Sequence, residues 1–109
     1  MLVRIWRTQV DPFREAEYVA FTQDYSLPMF RQQPGCFGVL FLNAPPDWGA
    51  LSYWQTDAAL AALATSPIYL KTVRQLDETG LLIGPSSVEV FAVHGGFLGN
   101  LILDVEIRE

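Results

Sequence analysis

The chain predicts an α+β domain, a four-stranded antiparallel sheet with helices packed on one face. Three observations carry that expectation. The apolar patterns run strand, helix, strand, strand, helix, strand, which one antiparallel sheet accommodates in the split βαβ arrangement. The length of 109 residues suits one domain. The central stretch Pro34–Thr56 reads as two strands around a turn, and neither face of that hairpin looks wet. Phe37, Val39 and Phe41 are expected on one side of its first strand and Cys36, Leu40 and Leu42 on the other, because side chains alternate across a sheet. In its second strand Leu51 and Tyr53 oppose Ser52 and Trp54. A sheet covered on one side alternates apolar with polar; this one needs cover on both.

Taken in order, Leu2–Val10 is the first strand, with Val3 and Ile5 opposing Arg4 and Trp6. Asp11-Pro12 then opens a helix, Asp11 as N-cap and Pro12 at the first helical position, where the missing N–H costs nothing. Tyr18, Phe21 and Tyr25 follow at spacings of three and four and share a face. Pro28 disfavours a helical Leu27, so the helix ends or bends near Ser26 and resumes to Gln33. Pro34-Gly35 stops it.

The hairpin comes next, with strands Cys36–Leu42 and Ala50–Gln55 and the loop Asn43–Gly49 between them. Asp57 is the expected N-cap of Ala58–Thr65, whose stripe is Leu60, Leu63 and Ala64. Ser66-Pro67 breaks that helix. A further one runs from Ile68 to about Glu78 with Leu70, Val73 and Leu76 inward, and Gly80 suits the left-handed position that closes it. Leu81–Ser87 is a loop and Val88–His94 the fourth strand. Residues 1–96 form the expected domain. Residues 97–109 are an extension in which Leu101–Ile107 alternates like a half-buried strand, at the sheet edge or exchanged with a partner.

Composition excludes several function classes. The net charge of −5 and pI near 4.7 lack the basic footprint of a nucleic-acid or anionic-membrane binder. No apolar run reaches membrane-spanning length, and no signal-peptide succession follows Met1, so a cytoplasmic protein is expected. The single cysteine allows no internal disulfide and no thiolate zinc cluster. Nor is there an HxH or HExxH spacing.

With half of its residues hydrophobic and 17% charged, the chain has more grease than one copy can hide. Four strands of about six residues, at ~3.3 Å per residue and ~4.8 Å between strands, present roughly 400 Å². At ~25 cal/mol/Å² the uncovered face is worth on the order of 10 kcal/mol per protomer. Association costs about 4–15 kcal/mol once per pair. A twofold homodimer joined sheet to sheet is therefore expected.

Gln33-Pro34-Gly35 before the second strand, Tyr53-Trp54 ending the third, Ala58–Leu63, and Ser66-Pro67-Ile68-Tyr69 in the second helical region carry a resemblance. Over Leu2–His94 the chain resembles the antibiotic biosynthesis monooxygenase domain family. The resemblance implies a ferredoxin-like βαββαβ fold, with two sheets face to face in a dimeric α/β barrel. It also implies oxygenation of small phenolic, quinol or polyketide-type aromatics without metal, flavin or other cofactor, in a pocket between sheet and helices. In quinone-forming members a Trp at the place of Trp54 works with an Asn four residues earlier and an Arg of the second helix. Here Ala50 replaces the Asn, while Arg74 lies in the region of the Arg. Haem-degrading relatives ligate iron through a second-helix histidine, and no histidine lies between Asp57 and Leu82.

Trp54 and Arg74 are thus the candidate catalytic residues, and Tyr18, Phe21, Tyr25 and Tyr69 the candidate substrate-binding residues. Each has a plainer reading. Trp54 also reads as core, the three helix-1 aromatics as an ordinary packing face, Arg74 as a surface cation. His94 reads as an exposed strand end and Cys36 as a small buried hydrophobe. Two functions stand side by side: a cofactor-independent monooxygenase, and a non-enzymatic dimeric module of the same fold that binds a small molecule or a partner.

Overall fold

Strand β1 (Leu2–Gln9) lies inside the sheet of the computed structural model, which describes residues 1–99. Its neighbours are β3 (Asp47–Trp54) and β4 (Ser87–Ala92), both antiparallel, and β2 (Cys36–Ala44) pairs outside β3. The order β2-β3-β1-β4 is the antiparallel α+β arrangement expected, with the helices on one face. The strand expected at Leu101–Ile107 lies outside the described residues.

Local chemistry moves several boundaries. Asp11 does not cap a helix: its Oδ1 accepts from the Phe13 N–H at 2.9 Å and its carbonyl from the Arg14 N–H at 3.0 Å, making a turn. Helix α1 starts only at Glu15 and runs to Phe21. A π-helical turn, Thr22–Ser26, leads straight into α2 (Leu27–Arg31). Leu27 is right-handed helical despite preceding Pro28, and its N–H reaches back to the Thr22 carbonyl. The wide turn absorbs what the proline would otherwise interrupt.

The hairpin is tighter than expected. Pro45-Pro46, joined by a cis bond, make the turn, and Asn43, Ala44 and Asp47–Gly49 belong to the strands. At the other end a β-bulge between Cys36 and Gly38 leaves Phe37 unpaired. That extra residue changes the faces. Cys36 joins Val39 and Phe41 on the helix side, packed with Trp54, whereas Phe37 swings out beside Tyr53, ring centroids 6.0 Å apart. Phe37 therefore sits on the open face with Leu40 and Leu42, not with Val39 and Phe41. Gly38 permits this, since a Cβ there would stand 3.1 Å from the Tyr53 ring.

Thr56, not Asp57, caps α3 (Asp57–Leu63), its Oγ1 accepting from the Ala59 N–H at 3.1 Å. Ser66 caps α4 (Pro67–Thr79) by accepting from the Tyr69 N–H at 3.3 Å, with Pro67 at the first position. Gly80 closes α4 at φ 71°. The inward residues of α4 are Tyr69, Thr72 and Leu76 rather than Leu70, which is exposed. Thr72 can point inward because its hydroxyl donates to the Ile68 carbonyl at 2.8 Å.

Two apolar clusters fill the space between sheet and helices. One joins Val10, Tyr18, Trp48 and Leu81; the other Met29, Phe30, Trp54 and Leu63. The opposite face of the sheet, carrying Val3, Ile5, Leu40, Leu42, Leu51, Tyr53 and Phe91, has no helix over it among the described residues. No described helix is long and apolar enough to cross a membrane.

Candidate functional site

Between the two clusters lies a cavity of about 240 Å³. Trp6, Tyr18, Leu76 and Leu82 reach it from the first cluster and Met29, Phe30, Phe41 and Tyr69 from the second. Alternation explains the floor. Arg4 and Trp6 of β1 stand on the same face as Ala50 of β3 and Phe41 of β2, because Arg4 pairs with Ser52, Trp6 with Ala50, and Ala50 with Phe41. Ala50 keeps the floor low. Tyr18, Ser26, Met29 and Phe30 form one wall, and Tyr69, Thr72, Val73, Leu76 and Asp77 of α4 the other. Val73, Asp77 and Ser86 are themselves exposed, so the cavity opens to solvent on their side.

The polar groups are few and placed. Arg4 is only 9% exposed, yet it donates from Nη2 to the Tyr69 hydroxyl at 3.2 Å and lies 5.8 Å from the centre of that ring. Tyr18 is 3% exposed and packs edge-on against Trp48 at 5.4 Å. Burial pushes its phenol up to about 12, because the phenolate would lose its hydration. Near neutral pH Tyr18 is a hydrogen-bonding group and not a base. At the Ser86 end the hydroxyl donates to Thr8 Oγ1 at 3.1 Å. Among the described residues no three His, Cys, Asp or Glu side chains converge as metal ligands would.

Of the six candidates from the sequence, the cavity brings together Tyr18 and Tyr69. Trp54 is wholly buried in the second cluster, its indole N–H donating to Ser52 Oγ at 2.9 Å. It supports the floor from beneath α3 and does not line the cavity. Phe21 is buried without lining the cavity, and Tyr25, half exposed, stacks on Phe21 at 5.0 Å. The π turn intervenes, and Ser26, Met29 and Phe30 take the positions that a continuous aromatic face would have given Tyr25. Arg74 is on the exposed side of α4, since Tyr69, Thr72 and Leu76 occupy its inner stripe.

Arg4 is the residue that sequence reasoning missed. A lone arginine in a strand resembles any solvated edge cation. The available signal was its face, shared with Trp6 on a strand that both β3 and β4 enclose. Cys36 is half-buried and burial pushes its thiol up, in keeping with a packing role. His94 is exposed beyond the end of β4.

No family model and no curated protein matches the chain in sequence. Solved structures do match it in fold. A monooxygenase from the gene ActVA-Orf6 of Streptomyces coelicolor, in complex with nanaomycin D, superposes with a TM-score of 0.75 at 16% identity, covering 91% of this chain and 92% of that one. SnoaB, a cofactor-independent oxygenase from Streptomyces nogalater, gives 0.71 at 18% identity, covering 87% and 94%. A protein of unknown function from Nitrosomonas europaea, NE2512, gives 0.73 at 20% identity, covering 91% and 94%. The chain thus has the fold of the antibiotic biosynthesis monooxygenases, as its residue patterns led us to expect.

Proposed function

We propose that the protein is a cofactor-independent monooxygenase of a small phenolic, quinol or polyketide-type aromatic, working as a homodimer joined sheet to sheet. The observation that carries this reading is the cavity: aromatic and aliphatic walls around a buried guanidinium and two phenolic hydroxyls. At about 240 Å³ it lies just below the usual ligand-pocket range of roughly 300–1,000 Å³, and suits one or two fused rings. The oxygenases that share the fold support the same reaction class.

The chemistry asked of the protein is modest. An ionised phenol is electron-rich enough to reduce O₂ by one electron, after which the radical pair combines at a ring carbon. Loss of water then leaves a quinone: one oxygen atom enters the ring, and the other leaves with the two displaced hydrogens. Arg4, beside Tyr69, would hold the phenolate and so favour deprotonation. Tyr18, kept protonated, would donate to a substrate oxygen. The apolar walls exclude water from the charged intermediate.

Oxygen uptake with a panel of one-ring and two-ring hydroquinones and naphthols tests this, comparing wild type with Arg4→Met and following the quinone product by absorbance. Consumption that falls with Arg4→Met upholds the reading. A folded protein that consumes no oxygen across the panel would instead be a binding module of this fold.

A further inference from the structure

We infer that the cavity's ligand brings its own negative charge, an aromatic anion whose carboxylate or phenolate oxygen sits against Arg4. This narrows the substrate class of the site above and rests on its being a ligand cavity, not on oxygenation. A guanidinium is protonated at any physiological pH and offers five N–H donors. Arg4 is nine-tenths buried, yet among the described residues the hydrogen bond to Tyr69 is the one its side chain makes to a protein acceptor. Among the described residues the ion pairs are Arg7 with Glu89 and Arg14 with Glu17, so Arg4 has no carboxylate within 4.0 Å.

A buried charge without a counter-charge is costly unless something completes it. The free donors of Arg4 are not sealed inside protein. The only fully buried side-chain polar atom without a partner among the described residues is Trp48 Nε1, so the remaining guanidinium nitrogens face accessible space, and Arg4 lines the cavity. Asp77, the one carboxylate on the lining, belongs to an exposed position of α4 and forms no pair with Arg4. The planar fork of Arg4 matches the two oxygens of a carboxylate, and Tyr69 fixes the fork's orientation. A neutral aromatic would fill the walls but leave the guanidinium unpaired.

The test uses the full chain and two ligands of one shape, 2-naphthoate and neutral 2-naphthamide, with binding followed by quenching of tryptophan fluorescence. Wild type should bind naphthoate at least tenfold more tightly than the amide, and Arg4→Met should erase the preference while Arg4→Lys keeps part of it. Equal binding of the two ligands, binding of neither, or a preference that survives Arg4→Met overturns the inference. If Arg4→Met does not fold, the wild-type pair of constants decides, with Arg4→Lys required to retain the preference. Anion-selective binding without oxygen consumption would keep this inference and end the proposed reaction. Oxidation of neutral quinols without anion selectivity would do the reverse.

Discussion

The side-chain amide of Gln33 donates to the Ser66 hydroxyl at 3.0 Å, clasping the chain just before β2 to the first turn of α4. The same Ser66 oxygen accepts from the Tyr69 N–H, so the clasp and the helix cap meet at one atom. Next to it, a Cβ on Gly35 (φ +81°) would stand 2.5 Å from the Ala59 Cβ. The Gln33-Pro34-Gly35 and Ser66-Pro67 segments are therefore neighbours in space, and their shared role is to seat α4 on the sheet with Tyr69 pointing inward.

Ser66→Ala should cost about 1 kcal/mol, the usual worth of an N-cap, and leave the buried Gln33 amide with only its longer bond, 3.4 Å, to the Met29 carbonyl. Urea unfolding measures the loss. Adding Gln33→Ala to Ser66→Ala should cost less than Gln33→Ala alone, because the two side chains share one hydrogen bond; additive losses would show the clasp to be energetically idle.

Trp54→Ala should destabilise the protein by about 3–5 kcal/mol, the cost of emptying a fully buried aromatic site. Trp54→Phe keeps most of the volume and should cost far less. If Trp54→Phe retained stability but lost ligand binding, the residue would have a direct role that its burial argues against. Denaturant midpoints and the naphthoate titration, run on the same samples, separate these outcomes.

Tyr69→Phe removes the one protein acceptor that the Arg4 side chain has among the described residues. Fold stability should change by no more than about 1 kcal/mol, since the hydroxyl stands in the cavity beside a guanidinium that water can reach. Anion affinity should fall several-fold because the fork loses its anchor. Isothermal titration of naphthoate into the variant provides the check, and an unchanged constant would show that Arg4 needs no positioning.

Tyr18 links pH to stability at the alkaline end. Its phenol stands at about 12 in the fold against an ordinary 10.0, so the folded state holds the proton more tightly than the unfolded chain. The stabilisation is present in full below pH 10 and is lost as pH rises towards 12. Two pKa units correspond to about 2–3 kcal/mol. Tyr18→Phe should flatten this part of the stability curve, measured by urea unfolding at stepped pH. A parallel decline in both proteins would assign the alkaline loss elsewhere.

Ile5→Glu tests the proposed dimer. Ile5 faces Leu51 across the middle of the open sheet face, and a carboxylate there would be buried unpaired between two copies. Wild type should sediment as a dimer at micromolar concentration and Ile5→Glu as a folded monomer. A monomeric wild type would remove the sheet-to-sheet pairing.

The sequence by itself determined the order of the elements, the hairpin at the centre, the left-handed end of α4 at Gly80 and a sheet apolar on both faces. Each rests on short-range rules: alternation, glycine and proline geometry, and the spacing of apolar residues. Tertiary structure alone decided which face the helices cover and how the faces are composed. Alternation says which residues share a side, but not which side is sheltered. One unpaired residue, Phe37, then reassigned its own strand end, and a π turn took Tyr25 away from the cavity. Burial of Arg4 follows from β1 lying inside the sheet beneath α4, a contact spanning 65 residues of chain. Alternation puts Arg4 on the face of Trp6, but no local pattern says that this face is covered, which is why the residue with the strongest claim on a ligand was hard to see in the sequence.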